Sequence, residues 1–177
     1  MQIISGKFKH ASFDSPNDEK THPMGNREKL ALFNMLNGEI EGKNVLDAFA
    51  GTGALGLEAL SLGAKTATFV EKSPKIAKIL KNNLEKVLKS EKNNAKIVIS
   101  DVKNLKLDEK FDLIFADPPY DLYNDALVSP LVPLLNKSAI LALSIPKTAP
   151  TPVLEGLDMI SRREYAAAAI ILFRKTK

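Results

Sequence analysis

The sequence predicts an α/β protein built on a parallel sheet with helices on both faces. Three observations predict it. From Lys43 onward, short apolar runs of strand length alternate with amphipathic helical stretches. The first run, residues 45–50, feeds a glycine turn, Gly51-Thr52-Gly53-Ala54-Leu55-Gly56, that opens a helix. Carboxylates then recur at or near the exits of four successive strands, as Asp47, Glu71, Asp101 and Asp117. Ligands of such sheets bind beyond the carboxyl ends of the strands, near the switch point. One acid at a strand end means little; four beside a glycine turn mark a site.

Taken in order, residues 1–13 interleave Ile3, Ile4, Phe8 and Phe13 with Lys7, Lys9 and His10, a pattern for a short hairpin turning at Gly6. Residues 15–25, with Pro16 and Pro23, form a loop. Leu30, Leu32, Phe33 and Leu36 recur at helical spacing over 27–37, and Gly38 suits the stop. A strand over 45–50 leads to a helix over 54–62 that ends at Gly63. After a strand over 66–71, Ser73 as N-cap and Pro74 at the first helical position start another helix. Its stripe is Ile76, Ile79, Leu80, Leu84, Val87 and Leu88, and Lys75, Lys78, Lys81, Lys86 and Lys89 form a mostly solvated face. Strands over 96–100 and 111–116 end at Asp101 and Asp117. Residues 122–135 are helical in part, bounded or broken by Pro130 and Pro133. The last strands are read over 139–145, 153–160 and 166–173. One domain, 1–177, is expected, with the hairpin and loop over 1–25 and the core over 26–177.

Composition is that of a globular protein, 45% hydrophobic and 26% charged. Without cysteine there is no disulfide, no thiolate metal site and no cysteine nucleophile, and no other metal site is apparent. No run approaches a membrane span and the N-terminus lacks a signal-peptide pattern, so a cytoplasmic protein with no membrane partner is expected. The net charge of +4 is a mild basic bias, concentrated in residues 147–177 with six Lys/Arg against three Asp/Glu.

Three ligand classes compete for the glycine turn. A phosphate-binding P-loop fails, because Leu57-Glu58 stands where Lys-Ser/Thr must follow. Gly51-x-Gly53-x-x-Gly56 formally matches the dinucleotide fingerprint, with Glu71 at about the expected distance. Asp47 opposes that reading, since a carboxylate repels a pyrophosphate but pairs with a cation. S-adenosylmethionine has no phosphate and carries an ammonium, a sulfonium and a ribose diol. Asp47 toward the ammonium and Glu71 at the ribose hydroxyls suit it, and Asp101 can accept from the adenine amino group. A helix N-cap is the plainer role for Asp101.

Asp117-Pro118-Pro119-Tyr120 supplies the other reactant's site. Two prolines fix an extended turn and remove two backbone donors. The Asp117 carboxylate and the Pro118 carbonyl can then both accept from one NH₂ group. Tyr120 offers a face on which a base stacks, worth roughly 1–3 kcal/mol. The amine of a nucleobase is a poor nucleophile because its lone pair is delocalised. Acceptors on both of its N–H bonds bias it toward a pyramidal nitrogen with the lone pair facing a methyl donor, leaving alignment and charge as the remaining work.

Residues 47–60 followed by Asp117-Pro118-Pro119-Tyr120 resemble the RsmD-type methyltransferases, and the likeness runs from Ile3-Ile4-Ser5-Gly6-Lys7 through Tyr120. The resemblance implies a Rossmann-like class I methyltransferase fold with a seven-stranded, mostly parallel sheet and an N-terminal hairpin extension. It implies S-adenosylmethionine as donor, held by Asp47, Phe49, Ala50, Gly51, Gly53, Glu71, Lys72, Asp101 and Val102. Asp117, Pro118, Pro119 and Tyr120 become the catalytic residues. The substrate it implies is the exocyclic N2 of a guanine in small-subunit ribosomal RNA, within an assembled or partly assembled subunit. A monomer is expected, with Lys7, Lys9, His22 and Arg27 toward the RNA. Two departures stand out. Around 21–34 the family's usual Thr-Arg-Pro-Thr-x-x-Arg-x-Arg-Glu-x-Leu-Phe-Asn is altered, His22, Met24 and Leu30 replacing an arginine, a threonine and the glutamate, while Lys29 keeps a positive charge. The fifth strand, often closed by a glutamate in this family, here reads Leu143-Ser144-Ile145-Pro146, to which no role is assigned.

Base carbon-5 methylation needs a cysteine and is excluded. Adenine-N6 methylation shares the tetrapeptide, and glutamine methylation typically has Asn in place of Asp117. A nicotinamide-dependent oxidoreductase and a non-catalytic RNA-binding protein are the rivals from other classes.

Overall fold

Apolar residues alternate along the strands and give the sheet two buried faces, as a period of two requires. The computed structural model describes residues 1–15 and 24–176. Its seven strands are β1 (Asn44–Asp47), β2 (Thr66–Glu71), β3 (Ala95–Ile99), β4 (Phe111–Ala116), β5 (Leu135–Pro146), β6 (Leu157–Glu164) and β7 (Ala168–Lys175). They lie in the order β3-β2-β1-β4-β5-β7-β6. β7 runs antiparallel to both β5 and β6, and the other neighbours are parallel. The order reverses between β1 and β4, which opens a crevice beyond their carboxyl ends.

Val45, Phe69, Leu113 and Phe115 face one side, packed with α1 (Asn26–Leu36), α2 (Ala54–Ser61) and α3 (Pro74–Leu88). Leu46, Val70, Ile114 and Leu141 face the other, where Val102, Leu127, Val128 and Leu131 of short 3₁₀ turns cover them. The expected part-helix over 122–135 is instead a chain of 3₁₀ turns, Tyr120–Leu122, Asp125–Leu127 and Ser129–Leu134. Pro130 and Pro133 deny that segment an i→i−4 ladder.

Other boundaries moved for non-local reasons. β5 begins at Leu135, not at 139, because the polar Asn136-Lys137-Ser138 forms a bulge opposite Phe111 and Leu113 instead of a turn. Ser138 takes φ +63°, and the Asn136 amide donates to Asp112 Oδ1 at 2.8 Å. β6 starts at Leu157 and not at 153, since Gly156 at φ +77° makes a tight turn in which the Leu157 N–H donates to the Leu154 carbonyl. β1 ends at Asp47, so Ala48 to Ala50 already belong to the turn.

The N-terminal hairpin is present: Gln2 bridges Ser12, and the Ile3 and His10 N–H groups donate to the Ala11 and Ile3 carbonyls at 3.0 Å. Gly6, at φ +78°, lies so close to α2 that a Cβ would stand 2.0 Å from the Ser61 carbonyl oxygen. The Lys7 N–H donates to that carbonyl at 2.8 Å.

Candidate functional site at the ends of β1 and β4

Carboxylates hold the glycine turn from two sides. Asp47, 1% exposed, accepts the Gly56 N–H at 2.9 Å, so it anchors the first turn of α2, where an anion is favoured. Glu71 accepts the Gly51 N–H at 3.0 Å through Oε2 and the Ser73 N–H at 2.7 Å through Oε1. A carboxylate has about four lone-pair sites, so Glu71 keeps capacity for a ligand's hydroxyls. Gly53 and Gly56 are required by packing: a Cβ would come within 2.6 Å of Leu80 Cδ1 at the first and 2.2 Å of Phe69 Cε1 at the second. Gly51 differs. At φ +53° its missing Cβ points into open space, the place where a ligand can close on the chain. Burial pushes the Asp47 carboxyl up to about 7; the Gly56 N–H opposes this, and the charges of Asp117 and Glu71 add to it. This negative concentration favours a cation and opposes a phosphate.

β1 and β4 are paired with Asp47 beside Phe115, and the Ala48 N–H donates to the Phe115 carbonyl at 2.9 Å. Asp117 therefore emerges next to the glycine turn. Pro118 is buried, Pro119 exposed and Tyr120 half-buried. Burial pushes the Asp117 carboxyl up to about 6, and the Ser144 hydroxyl holds it back. Tyr120 Oη lies 2.6 Å from Ser144 Oγ, and the charge of Glu28 on α1 reaches the phenol. The tetrapeptide thus presents an anionic acceptor, a proline carbonyl and a fixed ring at one edge of the crevice.

The other expected site residues divide. Phe49 is half-buried and Ala50 buried within the turn, and Lys72 is exposed beside Glu71. Asp101 is exposed and caps the 3₁₀ turn Val102–Asn104 by accepting the Lys103 N–H at 2.9 Å, its plainer role; Val102 is buried. Arg27 is exposed at the start of α1. Lys7 and Lys9 are exposed at the hairpin tip, which docks on Ser61 at the far end of α2, about 12 Å of helix from the glycine turn. Lys7 is paired there with Glu91. His22 lies outside the described residues.

Lys29 is not on the surface at all. Buried at 0% exposure, its Nζ lies 3.4 Å from Glu58 Oε2 and donates to the Gln2 carbonyl at 3.2 Å. Glu58 also accepts the Ile4 and Ser5 N–H groups, which ties the hairpin to α1 and α2. Sequence reasoning missed Glu58, Ser144 and Glu28. A lone glutamate amid Leu55, Leu57 and Leu60 was the one available signal for Glu58; nothing local pointed to the others. Among the described residues no group of three or more His, Asp or Glu is placed to hold a metal, and no helix is long and apolar enough to cross a membrane.

A family model described as "Conserved hypothetical protein 95" matches residues 1–174. Ribosomal RNA small subunit methyltransferase D of Haemophilus influenzae is 37% identical over 124 residues, 68% of this chain and 64% of that protein. The protein of that name from Escherichia coli strain K12 is 34% identical over 68% of this chain and 60% of its own length. The alignments thus span less than two thirds of both relatives. The solved structure of yhhF from Escherichia coli has a TM-score of 0.87 at 26% identity, covering 99% of this chain and 98% of that one.

Proposed function

The chain belongs to the family described as Conserved hypothetical protein 95, and from that premise we propose that it is an RsmD-type methyltransferase that methylates the exocyclic N2 of a guanine in small-subunit ribosomal RNA, with S-adenosylmethionine as donor. The observation that carries this reading is the pairing of β1 with β4, which sets the amine acceptors of Asp117-Pro118-Pro119-Tyr120 beside the glycine turn.

The residues around the turn fit the donor. Gly51 leaves the open approach, Glu71 has acceptor capacity for a ribose diol, and Asp47 contributes negative potential toward the ammonium end. On this reading Phe49, Ala50, Gly53, Lys72 and Val102 also belong to the donor site, and Asp101, which accepts the Lys103 N–H through Oδ1, has its other oxygen for the adenine amino group. When bound, the donor supplies a methyl group on a positively charged sulfur. Asp117 and the Pro118 carbonyl hold the two N–H bonds of the guanine amine, and Tyr120 stacks on the base. The donor would give its methyl group to that nitrogen and keep the carbon–sulfur electron pair on sulfur. The surplus proton on nitrogen leaves to Asp117 or to solvent. With a carboxyl near 6, Asp117 is mostly ionised at neutral pH, so it accepts from the amine and stabilises the positive charge growing on nitrogen.

On this reading the substrate RNA belongs to an assembled or partly assembled small subunit, Arg27, Lys7 and Lys9 contact it, and the enzyme acts as a monomer; His22, also expected at the RNA, lies outside the described residues. Equilibrium binding of tritiated S-adenosylmethionine and of NAD tests the donor. The methyl donor binds and NAD does not; the reverse pattern overturns the proposal.

A further inference from the structure

Asn83 is a polar residue on the buried stripe of α3, among Leu80, Leu84 and Val87, and it is 0% exposed. A buried amide without partners is costly, and Asn83 finds its partners outside its own helix. Its Oδ1 accepts the Asp14 N–H at 2.8 Å. Its Nδ2 donates to the Asp14 carbonyl and to the Thr52 carbonyl, each at 3.0 Å. A backbone N–H only donates and a carbonyl only accepts, so these partners fix which way the amide points. Asp14 follows Phe13, whose N–H closes the hairpin onto the Met1 carbonyl at 3.0 Å. Thr52 is the middle residue of Gly51-Thr52-Gly53. One side chain therefore bonds both the foot of the hairpin and the glycine turn.

We propose that Asn83 is a positioning residue that couples the N-terminal hairpin to the donor site, by holding the Thr52 carbonyl and with it the shape of the glycine turn. The Thr52 carbonyl shares a planar peptide unit with the Gly53 N–H, so holding one directs the other. That N–H donates to the Ala50 carbonyl at 2.8 Å and closes the turn around Gly51, where the chain is open to a ligand. α3 seats the turn a second time through Leu80, whose Cδ1 would lie 2.6 Å from a Cβ at Gly53. The hairpin itself lies along α2. Its contacts run from Met1 Sδ, 4.0 Å from Thr52 Oγ1, through the Ser5 N–H on Glu58 to the Phe8 N–H on Ser61 Oγ. A grip on the hairpin and a ligand on the turn thus act on the same amide, and by linkage each tightens the other by the same factor. The claim about the donor rests on the methyl-transfer reading, whereas the link between hairpin and turn does not.

The test compares the full-length protein with Asn83→Ala and with Asn83→Leu, which removes the bonds but fills the volume should alanine prevent folding. Amide hydrogen exchange followed by NMR needs no activity. Without ligand, exchange at Asp14 and Gly53 rises about tenfold in both variants, while Leu143 and Ile171, paired in the middle of β5 and β7, keep their parent rates. Adding S-adenosylmethionine slows Phe13 and Asp14 about fivefold in the parent and leaves them unchanged in the variants. The variants bind S-adenosylmethionine about tenfold more weakly, and kcat at saturating donor stays within about twofold. Donor affinity within about twofold of the parent in both variants overturns the proposal. So does an unmoved Gly53, or a rise in exchange that is equal at Leu143 and Ile171, which makes Asn83 a packing residue only. A parent protein that binds no S-adenosylmethionine, while Asp14 and Gly53 still loosen together in the variants, sinks the methyltransferase reading and leaves the link between hairpin and turn standing.

Discussion

Asp117 and Asp47 carry opposite kinds of consequence. Asp117→Ala removes an acceptor from the amine and touches no contact of the glycine turn. Turnover should fall by about 10²–10³ or more while donor affinity changes little, measured by single-turnover transfer and equilibrium binding. Equal turnover in that variant contradicts the assigned role. Asp47 has a stability signature. Its folded-state value near 7 and that of Asp117 near 6 both lie above the ~3.9 of an unfolded aspartate. The native state therefore binds more protons than the unfolded chain across that window. Stability is highest where both acids are protonated and falls as pH rises from about 4 through 7. Asp47→Asn keeps an acceptor for the Gly56 N–H and removes this penalty. Thermal melts should show the variant more stable than the parent at pH ~8, by roughly 2 kcal/mol, with the gap closing near pH ~4.

At the scale of elements, the hairpin is fastened by a buried ion pair. Glu58→Ala leaves Lys29 charged and unpaired and removes the acceptor of the Ile4 and Ser5 N–H groups. Urea denaturation should report a loss of about 3–5 kcal/mol. The same region shows what sequence could and could not disclose. Local chemistry was legible: β2 and β4 fall at the expected residues, Ser73 caps α3 by accepting the Ile76 N–H, and the glycines sit where turn and packing need them. Non-local chemistry was not. The bulge at Asn136 to Ser138 depends on Asp112 across the sheet, and the burial of Lys29 depends on a glutamate from another helix. Ser144 gained its place only once β5 lay beside the turn after β4. At Gly156 the signal was present, but the apolar pair Val153-Leu154 masked it; Val153 is 95% exposed, so hydrophobicity alone did not make it strand.

For the whole molecule, the strand order explains why two motifs about seventy residues apart meet. β1 and β4 are central neighbours at the switch point, so glycine turn and tetrapeptide share one crevice. The hairpin tip lies at the other end of α2, which separates the proposed RNA grip of Lys7 and Lys9 from the chemistry. Replacing both with alanine should therefore weaken binding to small subunits and flatten its salt dependence, while kcat at saturation is kept. A kcat loss without an affinity change contradicts that division. The central claim is that the crevice moves a methyl group onto the N2 of guanine. It is tested most directly by incubating the protein and S-adenosylmethionine with small subunits from a strain lacking it, then digesting the RNA for nucleoside mass spectrometry. N2-methylguanosine is the product predicted; N6-methyladenosine, or no methylated nucleoside, contradicts the account.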